Sequence, residues 1–197
     1  QFDLKLVDSW MLAPTVRHVV LERVDGALLP FTPGQFIQVH FHYADGKPTR
    51  RSFSVATVPE PGADAIRQVE LAVSYVEGGA ATKLFQELRH GEVIRASGAF
   101  GRFTLRETDT NRRYILVATG TGVTTYRAMQ PEMVRLMRSR GCEFVLLQGA
   151  RNEQELLYGE ELAAFAAAHP DGFTYRPCLS RAPRAEPRPG DHHGRVQ

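Results

Sequence analysis

Residues 114–125 combine an apolar run with two closely spaced glycines. The run Tyr-Ile-Leu-Val-Ala-Thr leads directly into Gly120-Thr121-Gly122, and a helical pattern follows. Glycines allow a sharp turn and a close approach to a ligand, while free N–H groups at a helix start attract an anion such as a pyrophosphate. Because Thr125 replaces the third glycine of the G-x-G-x-x-G fingerprint, this motif alone leaves a dinucleotide site and an ordinary strand-to-helix turn equally open.

Cations follow the next two apolar runs, at the sheet edge where a nucleotide ribose is expected. An NAD-binding unit usually has Asp or Glu at the end of its second strand, but here the run ends in Ala150-Arg151. The third run ends in Ser180-Arg181. A charge-assisted hydrogen bond contributes roughly 1.5–3 kcal/mol, or about 10- to 150-fold in affinity, so two arginines favour NADP over NAD. The alternative is that both arginines are ordinary solvated loop charges.

The first half of the chain places a cation, an aromatic ring and two hydroxyls in one short run, Arg51-Ser52-Phe53-Ser54. In an extended strand, Arg51 and Phe53 share one face, and the two serines lie on the other. A second glycine turn leads into a helix further on, at Gly79, Ala80, Ala81 and Thr82. The free N–H groups of its first turn predict a second anion site.

Two kinds of secondary structure are expected to position these motifs. Short β-rich runs separated by Pro-Gly, Asp-Gly and Gly-Gly predict an antiparallel barrel or sandwich with one helix at 81–88; the runs are 16–24, 36–42, 52–58 and 69–76. Strands then alternate with helices, which predicts a doubly wound parallel sheet; the order is 114–119, 124–140, 143–147, 154–168 and 173–177. We therefore expect two domains, 1–108 and 109–197, with a seam near 107–111 and a loop at 181–190.

The composition indicates a globular protein. The 197 residues are 43% hydrophobic and 23% charged, and no apolar run approaches the roughly 18 residues of a membrane span. A net charge of +2 gives no strong reason to expect nucleic acid as a partner. Cys142 and Cys178 alone cannot build a disulfide framework or a four-thiolate cluster. Since no secretory signal begins the chain, a reduced, cytoplasmic setting is expected.

Four blocks of the chain, taken in order, resemble the ferredoxin–NADP reductase superfamily, most closely the bacterial ferredoxin/flavodoxin–NADP reductases. Residues 51–54 are similar to the flavin motif R-x-[YF]-S, and residues 79–82 are similar to G-x-x-[ST]. Residues 120–122 are similar to the pyridine-nucleotide turn, and residues 180–181 to the NADP phosphate motif. Each block is weak by itself, but their order and spacing together are specific.

The resemblance implies FAD, rather than FMN, in the barrel domain and NADP(H) as the substrate of the second domain. It puts Arg51 on the flavin phosphates, Phe53 against the isoalloxazine ring and Ser54 near N5, where its hydroxyl would steer proton delivery. It also puts the main chain of residues 79–82 on the pyrophosphate and Thr121 where the domains meet. Further contacts are implied for the flavin edge, at Val73, Ser74 and Tyr75, and for the NADP 2′-phosphate end, at Ala150, Arg151, Ser180, Arg181 and Arg195.

The sequence departs from the family pattern in several places. Phe53 stands where Tyr is commoner, and the loss of a phenol hydrogen bond is expected to affect flavin affinity more than chemistry. Ala99 replaces a frequent Pro, and Thr124-Thr125 replaces the usual small-residue and Pro pair. The chain also stops before the family's last strands, its nicotinamide-side Cys-Gly or equivalent and its C-terminal aromatic residue. We therefore expect a C-terminally truncated reductase.

The expected reaction is hydride transfer between NADPH and flavin N5, with single electrons passing to or from a ferredoxin or flavodoxin. The carrier is expected to be acidic and bound transiently by a monomer, since residues 111–197 hold 12 basic groups, all Arg, against 9 acidic ones. Alternatives are the reductase component of an oxygenase and a free-flavin or ferric reductase. Another class also stays open, a non-catalytic flavin-bearing relay subunit or an NADP-binding module.

Other residues with potential chemistry are expected to be structural. His192-His193, in a Pro-Gly loop, are poorly placed to converge on a metal ion. Cys178 is interpreted as packing at a strand end. His18 is interpreted as an ordinary surface or barrel residue, and Trp10 as core or barrel-end packing.

Overall fold

The computed structural model describes residues 1–106, 108–181 and 184–196, and the first half of the described chain is almost entirely β-structure. Its elements are β1 (Phe2–Ala13), β2 (Val16–Arg23), β3 (Leu29–Pro30), β4 (Phe36–His42), β5 (Pro48–Ser54), β6 (Ala65–Ile66), β7 (Gln68–Ser74), α1 (Ala80–Glu87) and β8 (Val93–Phe100). Six strands form an antiparallel sheet in the order β5-β4-β8-β1-β2-β7, and β3 pairs with β6. The expected antiparallel barrel is confirmed.

The barrel forms because the outer strands of this sheet, β5 and β7, meet at an isolated antiparallel bridge between Val55 and Leu71. Successive strand side chains point to opposite sides, so alternating apolar residues cover the inner face. The buried side chains of this face include Leu4, Leu21, Ile37 and Val39. Helix α1 packs on the same core through the buried ring of Phe85.

The second half alternates strands and helices in the order β9 (Arg113–Thr119), α2 (Val123–Ala128), α3 (Gln130–Arg140), β10 (Glu143–Ala150), α4 (Gly159–Ala168), β11 (Phe173–Leu179) and β12 (His192–His193). Its strands are parallel and lie in the order β12-β11-β10-β9, which confirms the expected α/β domain. Strand β9 is outermost, and its side chains Ile115 and Val117 are exposed. No helix among the described residues is long and apolar enough to cross a membrane.

Four expected elements differ from those in the structure. The strand expected at 52–58 runs instead over Pro48–Ser54, because after a single bridge at Val55 the chain leaves the sheet. The helix expected at 124–140 is interrupted at Met129, because Pro131 lies in the first turn of α3 and favours a new helix start. The helix expected at 154–168 begins only at Gly159, after a 3-10 turn and a residue with positive φ, Tyr158. His192 and His193, expected in a loop, pair with the end of β11. Glu107 of the expected seam, Ala182 and Pro183 of the expected loop, and Gln197 lie outside the described residues.

Apolar side chains join the two domains. Ala128 of α2 belongs to the core of the barrel. In the other direction, Ala13 and Val16 of the barrel pack with the core beneath the parallel sheet, which contains Met133 and Phe144. Because each domain contributes side chains to the hydrophobic core of the other, the contact between the domains is part of both cores.

Candidate cofactor-binding sites

Apart from the bridge between Val55 and Leu71, β5 and β7 form no backbone pairing among the described residues. Two of the predicted flavin segments lie along the unpaired gap between these strands, which we call the flavin opening. From Val55 towards the N-terminus, the chain enters β5 at Ser54, the last residue of the 51–54 motif. From Leu71 towards the C-terminus, β7 reaches Val73 and Ser74. Val73 is buried in the barrel core, so only its main chain can border a ligand here. The topology therefore brings together two segments that are about 20 positions apart in the sequence.

Within the flavin motif, Arg51 and Phe53 pair with buried residues of β4 and therefore lie on the inner face of the sheet. The ring of Phe53 packs edge-to-face on Phe85, with 5.3 Å between ring centroids. The guanidinium of Arg51 is exposed and donates a hydrogen bond to the hydroxyl of Tyr43 at 3.0 Å. Arg51 forms no ion pair with any carboxylate of the described residues, so its charge is available to an anion.

The third predicted flavin segment forms the start of α1, with Gly79 as the N-cap residue and Ala80 as the first helical residue. The N–H groups of this first turn have no carbonyl partner within the helix and carry the positive end of its dipole. The Thr82 hydroxyl accepts a hydrogen bond from the Val76 N–H at 2.8 Å, which holds the preceding loop against the helix. A Cβ on Gly79 would lie 3.0 Å from the Val76 carbonyl oxygen, so a larger residue would fit here only if the turn shifted slightly.

Two contacts hold this helix and its loop on the barrel. Arg17 of β2 donates to the carbonyl oxygens of Phe85 and Leu88, at the C-terminal end of α1. Its positive charge also offsets the negative end of the helix dipole. At the other end, the N–H of Tyr75 donates to the carbonyl oxygen of Thr15 at 2.7 Å. The start of α1 is thereby fixed close to the end of β7.

The glycine turn between β9 and α2 forms a short 3-10 helix, Gly120–Gly122. Gly120 has a φ of +51°, a left-handed conformation that glycine adopts without steric cost. Gly122 has an ordinary φ of −59°, and a Cβ at either glycine would meet no atom within 4 Å, so this side of the turn is open. The Thr124 hydroxyl donates to the Thr121 carbonyl at 2.7 Å and fixes the turn against α2.

The carboxyl edge of the parallel sheet borders a cleft of about 420 Å³. Several residues predicted to bind nucleotide line it, namely Gly120, Ala150, Arg151, Ser180 and Arg195. Ser74, predicted at the flavin edge, lines it as well, whereas Thr121, Gly122 and Arg181 are not among its lining residues. The motifs did not indicate the lining residues Thr15 and Glu155. Thr15 lies in the turn between β1 and β2, which carries no motif, while Glu155 follows Arg151 at helical ion-pair spacing.

The charges in this cleft are partly compensated. Arg151 binds Glu155 through both Nε, at 2.9 Å from Oε2, and Nη2, at 2.6 Å from Oε1. This hydrogen bonding lowers the pKa of Glu155, so the pair is ionised and neutral overall at pH 7. The N–H of Arg181 donates to the Arg151 carbonyl oxygen at 3.0 Å, and its side chain is exposed. Within the described part of the chain, neither Arg181 nor Arg195 forms an ion pair.

The remaining candidate residues have structural surroundings. Burial raises the pKa of the Cys178 thiol, which disfavours the thiolate that a nucleophile requires. The described residues contain no group of three or more His, Cys, Asp or Glu side chains arranged for a metal ion. His18 lies in the barrel, as one of the two alternatives expected, but it is completely buried and not on the surface. Trp10 was expected to be core or barrel-end packing, but it is half-exposed and stacks on the His18 ring.

Comparison with known proteins agrees with this arrangement. Residues 3–105 match the family described as oxidoreductase FAD-binding domain, and residues 116–197 match the oxidoreductase NAD-binding domain. The chain is 35% identical over 180 residues to ferredoxin–NADP reductase B of Sorangium cellulosum, a match that covers 91% of this chain and 70% of that protein. It is 34% identical over 174 residues to the reductase component DmpP of phenol 2-monooxygenase from Pseudomonas sp., covering 87% of this chain and 45% of the relative.

Solved structures give the same result. The structure of the Amycolatopsis cytochrome P450 reductase GcoB superimposes with a TM-score of 0.77 at 30% identity, covering 98% of this chain and 55% of that one. The Neisseria gonorrhoeae ferredoxin–NADP⁺ reductase with bound FAD and NADP shares the fold, with a TM-score of 0.72 at 21% identity over 96% of this chain and 71% of that one. The chain thus spans only about half the length of several relatives. It belongs to the ferredoxin–NADP reductase family of flavin-dependent oxidoreductases, with an FAD-binding domain followed by an NAD(P)-binding domain.

Proposed function

We propose that this chain binds FAD at the opening between β5 and β7, takes NADPH in the cleft of about 420 Å³, and exchanges single electrons with a ferredoxin or flavodoxin. The observation that supports this proposal is the position of Ser74. Ser74 lines the nucleotide cleft and also ends the strand that borders the flavin opening. We place the boundary between the two domains at residues 108 and 109.

The residues at the barrel opening suit a flavin dinucleotide. Arg51 would hold phosphate charge, and the N–H groups of Ala80, Ala81 and Thr82 would hold the pyrophosphate. Gly79 would contribute as the N-cap residue, since its own N–H already donates to the Val76 carbonyl oxygen at 2.9 Å. Phe53 would lie against the isoalloxazine ring, with Ser52 and Ser54 on the other face of the strand and Ser54 near N5. The main chain of Val73, together with Ser74 and Tyr75, would border the flavin edge. Bound FAD would supply hydride acceptance and one-electron release, chemistry that no side chain of this chain provides.

The residues in the cleft suit a phosphorylated nicotinamide dinucleotide. The turn of Gly120, Thr121 and Gly122 would receive the pyrophosphate on its open side. The 2′-phosphate would be held by Ala150, Arg151, Ser180, Arg181 and Arg195. Because Glu155 already binds Arg151, a phosphate must compete with this carboxylate for the guanidinium. Arg195 lines the cleft, and Arg181 directly follows the lining residue Ser180. Neither forms an ion pair among the described residues, so these two arginines should provide most of the selectivity.

Coenzyme selectivity tests this assignment. We expect Arg181→Ala to lower kcat/KM for NADPH by about 10- to 150-fold, the loss of one charge-assisted contact, and to change kcat/KM for NADH much less. We expect Glu155→Gln to shift selectivity the other way, because it frees Arg151 and removes a negative charge. Arg176→Ala is the matched control, since it removes the same charge from an exposed position on β11, the strand that ends two residues before Arg181. Equal losses with both nucleotides in Arg181→Ala would contradict the phosphate assignment.

The reaction itself is tested by adding NADPH anaerobically to the flavin-loaded protein and following the flavin absorbance. We expect bleaching by NADPH and reoxidation by a ferredoxin or flavodoxin. A yellow protein that neither NADPH nor NADH bleaches would contradict the proposal and favour a relay subunit.

A second candidate is a reductase component that supplies electrons to an oxygenase. The similarity to DmpP and to GcoB, each at 30% identity or more, favours this candidate. The ion pair between Arg151 and Glu155 also favours it, because a neutralised arginine needs no phosphate as a counter-charge. This alternative predicts faster bleaching by NADH than by NADPH. The ratio of the two rates therefore separates the candidates.

A further inference from the structure

Four polar side chains meet at the contact between the two domains, and we call them the seam cluster: His18, Glu70, Arg127 and Tyr158. His18 and Glu70 lie on β2 and β7 of the barrel. Arg127 lies on α2, and Tyr158 directly precedes α4. None of the four belongs to a motif that the sequence indicated. The cluster therefore assembles only when the two domains are packed together.

A single guanidinium binds both domains. Arg127 Nη1 lies 2.5 Å from Glu70 Oε2 and 2.7 Å from the carbonyl oxygen of Ala56, both in the barrel. Its Nε lies 2.9 Å from both carboxylate oxygens of Glu161, in its own domain. The guanidinium also lies over the ring of Tyr158, 4.7 Å from the centroid. These contacts use the planar, forked geometry of arginine, which an ammonium group cannot reproduce.

His18 provides the second connection between the domains. Its Nδ1 lies 2.9 Å from the Tyr158 hydroxyl, and its Nε2 lies 3.3 Å from Glu70 Oε2. The imidazole ring stacks on Trp10 at 4.1 Å, which fixes its plane. Tyr158 reaches this ring from a left-handed backbone position, with a φ of 56°. A backbone conformation of this kind persists in a non-glycine residue only when its surroundings hold it.

The seam cluster is charged although it is poorly exposed. The side chains of Arg127 and Glu70 are only 15% and 19% exposed. Burial raises the pKa of Glu70, but His18 and Arg127 outweigh this effect and leave the pKa below its ordinary value. Burial lowers the pKa of Arg127, but Glu161 and Glu70 outweigh it and raise the pKa. Removing one partner from such a pair leaves a poorly solvated charge, so the arrangement resists displacement.

Two elements that carry residues of the seam cluster also lead to the two proposed cofactor sites. Arg127 lies on the helix that begins directly after the Gly120–Gly122 turn. Glu70 lies on the strand that ends at Ser74, the residue shared by the cleft and the flavin opening. A shift of α2 against β7 would therefore move the nucleotide turn relative to the flavin edge.

From this geometry we propose that the seam cluster positions the nucleotide-binding domain against the barrel and so sets the alignment of nicotinamide and flavin. The inference rests on the proposed function. The four residues touch neither cofactor in this account, so they are positioning residues. A misplacement of about 1 Å at a reacting centre can slow a reaction by about 100-fold. Disturbing the cluster should therefore affect hydride transfer more than the affinity for either cofactor.

The test uses Arg127→Lys, which keeps the charge but loses the fork, and Tyr158→Phe, which removes one oxygen atom. Arg113→Lys is the matched control, because Arg113 forms an exposed ion pair with Glu143 within one domain. We expect flavin content and NADPH affinity to stay within about twofold in both variants. Flavin reduction at saturating NADPH should slow by about 10- to 100-fold in Arg127→Lys and by less in Tyr158→Phe. The control should match the wild type.

Hydrogen exchange of the full chain provides a readout without nucleotide. In Arg127→Lys, amides of α2 and of the first turn of α4 should exchange faster, while the inner barrel strands stay protected. An unchanged reduction rate, or a loss of rate fully explained by weaker NADPH binding, would overturn the proposal. If Arg127→Lys does not fold, Tyr158→Phe decides by the same criteria. If NADPH does not bleach the wild type, the proposed function fails. The role of the seam cluster is then tested by hydrogen exchange alone, and unchanged exchange in α2 and α4 of Arg127→Lys would contradict it.

Discussion

Replacing Arg51 by alanine is expected to lower the affinity for FAD by about 10- to 150-fold, the value of one charge-assisted hydrogen bond. Arg51 lies at the barrel opening with a hydroxyl partner, Tyr43, and no carboxylate partner among the described residues. Its loss removes positive charge that no other side chain of the motif replaces. The measurement is a titration of the flavin-free protein with FAD, followed by the quenching of flavin fluorescence.

Arg50→Ala is the control for this experiment. Arg50 is the neighbour of Arg51 on β5, is exposed as well, and lies on the opposite face of the strand. The two variants therefore lose the same charge and differ only in its direction. An equal loss of affinity in both would indicate a general electrostatic effect, and full affinity in Arg51→Ala would show that Arg51 does not contact the flavin phosphates.

Replacing Phe85 by alanine is expected to lower the free energy of unfolding by about 3–5 kcal/mol, as for other buried phenylalanines. Phe85 is the buried anchor of α1 in the barrel core and packs against Phe53. A cavity there removes the support of a ring proposed to contact the flavin, and it loosens the helix whose N-terminus is proposed to hold the pyrophosphate. Urea denaturation of the flavin-free protein measures the loss without the stabilisation that a bound ligand adds.

Phe103→Ala provides the comparison, because the Phe103 side chain is 61% exposed. We expect its free energy of unfolding to fall by less than about 1 kcal/mol, since little buried surface is lost. Similar denaturation midpoints for the two variants would contradict the role of Phe85 as an anchor. A stable Phe85→Ala protein that binds FAD normally would contradict the proposed link between α1 and the flavin site.

The sequence predicted the fold class because two different periodicities are present, short alternating runs first and strand–helix alternation afterwards. It did not reveal β1, the longest strand, because the exposure of its residues does not alternate regularly and its pairing with β2 is interrupted by two register shifts. The short strands β3 and β6 have two residues each and carry no periodic signal. The end of α2 at Met129 depends on where Pro131 begins a new helix, and apolar spacing does not report this.

The candidate sites likewise include residues that the sequence indicated and residues that it did not. Motifs that are continuous in sequence, such as residues 51–54 and 120–122, were visible because each needs particular residue types at fixed spacing. Contacts between distant residues were not visible. His18 and Tyr158 are separated by 140 positions, and neither is unusual in its local sequence. His18 lies in the barrel, as one of the two alternatives expected, but its complete burial was missed, since one of the residues that contact it, Tyr158, comes from the other half of the chain.

The outer position of β9 has a consequence for handling the protein. Within the described residues it pairs only with β10, so one row of its backbone N–H and C=O groups has no strand partner. Beside this row, Ile115 and Val117 are 67% and 46% exposed. Unprotected edges of this kind act as templates for strand addition and aggregation. A protein of these 197 residues is therefore expected to self-associate at high concentration through β9, and Ile115→Lys is expected to reduce this association, as measured by light scattering.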